Sequence, residues 1–188
     1  MKKKIRNRIF ELLKEIRKNM RCEKNICHTG LLIVYSDISS VLARGAYPIK
    51  KTIYENSEKD FDIIGTINDE KAGEKLKIVG EDGAVLIDKE GNIHSPSVYL
   101  NVNLFSVDPE VIEDDFCARH IAALATSAST KSYVFTLSEE TGKVREFVSG
   151  KIYREYPELE KEEKEIAKEI EKELIREKIK DKIIKIKA

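Results

Sequence analysis

The sequence predicts an α/β fold built on a mixed central sheet, with a helix at each end of the chain. Three observations predict it. Short runs rich in branched residues recur between Leu31 and Val148. Stretches with helical spacing of apolar residues interrupt them. A Gly-Asn turn between two of the runs implies a hairpin, so antiparallel pairing must accompany the strand–helix alternation.

The elements follow in order. Ile5, Ile9, Leu12, Leu13, Ile16 and Met20 recur at helical spacing, so residues 3 to 20 are expected to form an amphipathic helix packed on the domain. Its polar face mixes Glu with Lys, unlike the basic face of a membrane-surface helix. Cys22 to His28 reads as a loop. Gly30 then opens Leu31-Leu32-Ile33-Val34-Tyr35, a continuous apolar run that suits a strand buried on both faces. Asp37-Ile38-Ser39-Ser40 reads as a turn or helix start leading into Val41-Leu42-Ala43. Strands are expected at Phe61 to Ile67, Lys77 to Val79, Ala84 to Asp88 and Val98 to Leu104. Lys89-Glu90-Gly91-Asn92 is the hairpin turn. Phe116, Ile121, Ala122, Leu124 and Ala125 suit a helix between Asp114 and Ser129, with Asp114 or Asp115 as its cap. Ser132 to Ser138 returns to strand, Glu139 to Lys143 turns tightly, and Val144 to Val148 pairs back. Beyond Pro157, Ile166, Ile170, Leu174, Ile179 and Ile183 form a narrow stripe on a long charged helix. That stripe suits either the helix's own domain or a second copy of the helix. The expected organisation is therefore a helix over residues 1–22, a domain over 23–157 and a charged helix over 158–188.

Composition narrows the function. At 41% hydrophobic, the 188 residues can build a core, which excludes wholesale disorder. Lys+Arg and Asp+Glu both number 34, so bulk electrostatic attraction to DNA is not expected. Charged residues reach 36%, Gln and Trp are absent, and Ile, Lys and Glu abound, the bias of proteins that work hot. No stretch approaches the roughly 18 uninterrupted apolar residues of a membrane span, and no apolar segment follows the basic start as in a secretory signal. Three cysteines, Cys22, Cys27 and Cys117, with the last far from the others, fit a reduced cytoplasmic setting.

The familiar nucleotide loops, G-x-x-x-x-G-K-S/T and a strand-to-helix G-x-G-x-x-G, are absent. Cys22, Cys27 and His28 resemble half of a zinc site, but no second ligand pair lies nearby, so loop residues are the default. Three other segments carry more chemistry. Asp82-Gly83-Ala84 puts a carboxylate at the mouth of a buried strand, where glycine permits close backbone approach. It is equally a common turn pair. Cys117-Ala118-Arg119-His120 opens a predicted helix, whose free N–H groups with Arg and His suit a polyphosphate. A surface Arg and a core-capping His would also explain it. Ser138-Glu139-Glu140-Thr141-Gly142 ends a strand with adjacent acids that can hold a divalent cation, or simply form an acidic turn.

Taken in order, Asp82-Gly83-Ala84, Val98-Tyr99-Leu100, Ala118-Arg119-His120 with Ala122-Ala123, and Ser138-Glu139-Glu140-Thr141-Gly142 resemble the diadenylate cyclase domain over residues 30 to 150. The resemblance implies a twisted mixed sheet flanked by helices. It also implies condensation of two ATP into cyclic di-AMP and two pyrophosphates, with Mn²⁺ or Mg²⁺, between two domains meeting face to face. Asp82 would bind metal and activate the 3′-hydroxyl, while Gly83 and Ala84 lie against the nucleotide. Tyr99 and Leu100 would border the adenine. Arg119 and His120 would neutralise phosphate charge beside Ala118, with Ser138 and Glu139 at the nucleotide and Glu140 on the metal. The family usually reads Gly, a small residue, then Arg-His-Arg. Here Cys117 replaces the Gly and Ile121 the second Arg, and Ala118 lacks a hydroxyl. The alternative expectation is a catalytically weak nucleotide-binding or sensing protein that keeps the fold.

Overall fold

The apolar run from Leu31 to Tyr35 is buried at all five positions, because both faces of the strand it forms are covered. The structure, a computed structural model, describes residues 2–22, 30–48, 61–80, 82–95, 97–103 and 107–157. Its elements are α1 (Lys3–Cys22), β1 (Leu31–Tyr35), α2 (Ile38–Leu42), β2 (Tyr47–Pro48), β3 (Asp62–Thr66), α3 (Ala72–Val79) and β4 (Val85–Ile87). There follow β5 (Asn92–Ser95), β6 (Val98–Tyr99), a 3₁₀ turn (Pro109–Val111), α4 (Ala118–Ser129), β7 (Tyr133–Leu137), β8 (Val144–Val148) and β9 (Lys151–Tyr156). Contacts divide the chain into a unit ending at Tyr156 and a second from Pro157 to Ala188. The expected C-terminal helix and the Cys27–His28 pair lie outside the described residues.

Seven strands form one sheet in the order β3-β5-β4-β1-β7-β8-β9, and β2 pairs with β6 in a small second sheet. β1 runs parallel to β4 and antiparallel to β7, so the sheet is mixed as expected. Alternation along β1 divides the core. Leu31, Ile33 and Tyr35 face α1 and α3, meeting Ile9, Leu13 and Leu76. Leu32 and Val34 face the layer of α2 and α4, meeting Val41, Ala123 and Leu124. The result is helix, sheet, helix. The stripe on α1 is buried as its spacing predicts, from Ile5 to Ile16.

Strand β8 adds buried charge on both faces. Glu146 is fully buried and takes the guanidinium groups of Arg6 on α1 and Arg154 on β9. Arg145, also fully buried, points the other way to Glu113, Asp115 and Glu155 at 2.7, 2.9 and 2.6 Å. These pairs tie α1 and the segment before α4 to the sheet.

Four local expectations are corrected. Lys77 to Val79 is the last turn of α3, not a strand: Ala72, Leu76 and Val79 bury at helical spacing, while Ile78 is 75% exposed. The cap of α4 is Cys117 rather than Asp114 or Asp115. Of the stretch from Val98 to Leu104, the described residues contribute strand only at Val98–Tyr99. The turn at residues 89–91 joins β4 to β5, and β5 and β9 are strands that periodicity did not announce.

Candidate nucleotide site

The N-terminal ends of β1 and β4 and the C-terminal end of β7 share one edge of the sheet. Register places the segments there. Ile33 lies opposite Val85, and Leu31 opposite Leu137, so two residues back along the parallel pair Leu31 is level with Gly83. Asp82 immediately precedes that glycine, and Gly30 and Ser138 immediately flank the Leu31–Leu137 pair. Gly83 has φ of 80°, a left-handed turn that glycine adopts without strain, and it delivers the chain into β4. Ala84 is buried and exchanges two backbone hydrogen bonds with Val98, of 2.8 and 2.9 Å.

At this edge a cavity of about 390 Å³ is lined by Asp115, Cys117, Arg119, His120, Thr136, Leu137, Ser138, Glu139, Glu140 and Thr141. Five residues singled out in the sequence therefore converge: Arg119, His120, Ser138, Glu139 and Glu140. Arg119 Nη1 donates to Glu139 Oε2 at 3.3 Å, and both side chains are about one-third exposed (36% and 34%). A pair so solvated holds weakly and opens readily to a stronger anion. Ser138 begins the turn, accepting from the Thr141 N–H at 3.2 Å, with Gly142 at φ 66°.

His120 is buried, 2% exposed, stacked on Phe116 at 5.1 Å and beside Phe147 at 6.2 Å. Its Nδ1 accepts the Cys117 N–H at 3.1 Å, so it caps its own helix. Burial, and then the nearby Arg145 cation, lower its pKa to about 4. The ring is thus neutral at ordinary pH. The charge neutralisation expected of His120 falls to Arg119, and His120 instead brings a polar edge to the cavity. Its Nε2 and the Thr136 hydroxyl are buried with no partner among the described residues. Such orphans are rare in folded proteins and mark ligand or water positions. Burial raises the Asp115 carboxyl, but bonds from Lys143 at 2.7 Å and from Arg145 outweigh it and hold it below the usual range.

Glu140 lines this cavity at its exposed rim. The other predicted residues do not line it: Asp82 is exposed in the turn before β4, and Ala118 is exposed in the first turn of α4. Tyr99 is 44% exposed and pairs with Tyr47, ring centroids 5.5 Å apart, on the small sheet next to Ala84. Leu100 faces away, toward Val41, Ala46 and the far end of α4. Gly30, Tyr47, Asp115 and Thr136 were missed. Thr136 had a signal, a lone hydroxyl in the apolar run Tyr-Val-Phe-Thr-Leu.

Asp82 and Glu140 are exposed carboxylates, the hard oxygen donors that suit Mg²⁺ or Mn²⁺. Among the described residues no three His, Cys, Asp or Glu gather as a closed metal cage. One or two carboxylates with substrate phosphates are the ordinary way to hold Mg²⁺.

This edge gathers a cavity, the Arg119 cation, two buried polar atoms without partners among the described residues and glycine turns at Gly83 and Gly142, an arrangement that suits a phosphate-bearing ligand. Residues 23–152 match the family model described as DAC, DisA bacterial checkpoint controller nucleotide-binding, and the chain belongs to that family. In structure it is similar to a double-cysteine mutant of DacA from Staphylococcus aureus, with 20% identity, a TM-score of 0.51, and coverage of 88% of this chain and 94% of that one. It is also similar to a hypothetical membrane-spanning protein from Bacillus cereus, at 20% identity and a TM-score of 0.46 over 76% of this chain and 61% of that one. No curated protein matches it. The first likeness supports the mixed-sheet fold. No described helix is long and apolar enough to cross a membrane.

Proposed function

We propose that the protein is a diadenylate cyclase, condensing two ATP into cyclic di-AMP and two pyrophosphates between two domains that meet at this sheet edge. The carrying observation is the row along the edge: the Tyr99 strand bridged to Ala84, Asp82 and Gly83 in the turn before it, and Arg119 over Gly30 against Glu139. From the strand of Tyr99 to that of Ser138 the row spans three strand spacings, about 14 Å, the reach of an extended nucleoside triphosphate. The base lies at the Tyr99 end and the polyphosphate at Arg119, with the His120 and Thr136 polar edges available beneath it.

The chemistry follows. Each 3′-hydroxyl attacks the α-phosphate held by the opposite domain, a new phosphate ester forms, and pyrophosphate leaves. Asp82 accepts the hydroxyl proton, Arg119 offsets charge on the phosphates, and Ser138 donates to them. When bound by Asp82 and Glu140, a divalent cation offsets polyphosphate charge. The setting we propose is cytoplasmic, and the charge-rich composition fits work at elevated temperature.

Incubation with ATP and Mn²⁺, followed by chromatography, tests this. Cyclic di-AMP and pyrophosphate in a ratio of one to two are expected, and chelator abolishes both. Tight ATP binding with no product would leave the nucleotide-sensing alternative.

A further inference from the structure

Gly30 is the residue just before β1, and Arg119 occupies the space where its side chain would stand. A Cβ built on Gly30 would lie 2.3 Å from Arg119 Nη1, 2.8 Å from Arg119 Cζ and 3.2 Å from Glu139 Cβ. The first two distances are far below van der Waals contact. The guanidinium lies directly on the backbone at the strand end and reaches Glu139 across it. Gly30 itself is buried.

We propose that Gly30 is a positioning residue for the phosphate-binding arginine, and through it for the polyphosphate of the nucleotide; this rests on the nucleotide reading above. A methyl group at residue 30 displaces the end of the flexible Arg119 side chain and asks Glu139 Cβ to give by a few tenths of an ångström, while no backbone atom is among its nearest neighbours. The alanine variant therefore folds normally with its guanidinium moved off the cavity floor. Its φ lies outside the left-handed region, so no backbone strain accompanies the change.

Gly30→Ala, Arg119→Ala and the double variant test it. Binding of a non-hydrolysable ATP analogue with Mg²⁺, and of adenosine, is measured by calorimetry beside the melting temperature. In Gly30→Ala the analogue weakens by about tenfold or more, the scale of one charge-assisted hydrogen bond. Adenosine affinity and melting temperature hold. In the Arg119→Ala background the glycine substitution has no further effect, since it acts only through the arginine. Wild-type affinity in Gly30→Ala, or an equal loss in the Arg119→Ala background, overturns the inference. If the wild type itself fails to bind the analogue, the nucleotide reading falls. The positioning claim is then judged on the Arg119 Nε–H resonance, assigned with Arg119→Lys: a shift in Gly30→Ala supports it and an unmoved signal refutes it.

Discussion

Protonating His120 should unfold this domain more than protonating an ordinary histidine. The imidazole is 2% exposed, sandwiched by Phe116 and faced by the Arg145 cation, and its pKa falls from 6.5 to about 4. A folded-state pKa below the unfolded one means that the unfolded chain binds more protons between those values. Stability is therefore complete above about pH 6.5 and falls as pH drops toward 4. At about 1.4 kcal/mol per unit, the full window is worth about 3 kcal/mol, against a typical total of roughly 5–15 kcal/mol. The comparison variant is His120→Gln, whose side chain can still reach back to the Cys117 N–H as an N3 cap residue but does not titrate. Urea unfolding of both proteins at pH 7.0, 5.5 and 4.5, values set across that window, isolates the histidine. The wild-type advantage should shrink by about 2.5 kcal/mol from the highest pH to the lowest, since pH 4.5 stops short of the full window. Carboxylates such as Asp115 titrate in both proteins and cancel to first order. An advantage that is flat with pH, or an imidazole resonance titrating near 6.5, would refute the reasoning.

Other expectations are more local. Asp82→Asn should abolish cyclic di-AMP formation while circular dichroism and melting stay unchanged, because Asp82 is exposed and holds no packing contact in the core. Wild-type turnover in that variant would remove Asp82 from the chemistry. Glu146→Ala should cost about 3–5 kcal/mol in urea unfolding, since it leaves Arg6 and Arg154 without their buried partner; a loss under about 1 kcal/mol would mean that water reaches them. Specific activity should rise with protein concentration, because the proposed reaction needs two domains. Constant turnover per protomer down to concentrations where mass photometry sees only monomer would exclude the two-domain mechanism.

The sequence carried the fold well where one physical demand ruled. A strand covered on both faces must be apolar throughout, and Leu31 to Tyr35 is; a helix covered on one face must repeat its apolar residues, and α1 does. It was ambiguous where demands competed. Lys77 to Val79 is branched enough for a strand, and only the burial of Ala72 and Leu76 with Val79 reveals a helix. Asp114 and Asp115 are better cap residues by chemistry than Cys117, but Asp115 is engaged by Lys143 and Arg145. Those partners lie about 30 residues away, beyond any local reading. The site was legible as an order of motifs, and Arg119, His120, Ser138, Glu139 and Glu140 do share a cavity. The charge state of His120 was not legible, because it depends on a burial and a cation supplied by other elements. Nor was the role of Gly30, which exists only through a side chain 89 residues later (119 − 30).

The pairing of Arg6 with Glu146 joins residues 140 positions apart. During synthesis α1 emerges first, yet the strand that receives its arginine emerges near the end of the domain. Until then the helix carries its oily side, Ile5 through Ile16, without the Phe135, Leu137 and Val144 side chains that complete its cover. Closure must wait for β7, β8 and β9, so assembly of this layer comes late and is slow relative to local helices and hairpins. Within this domain the first helix thus waits on the last strands before its apolar side is fully put away.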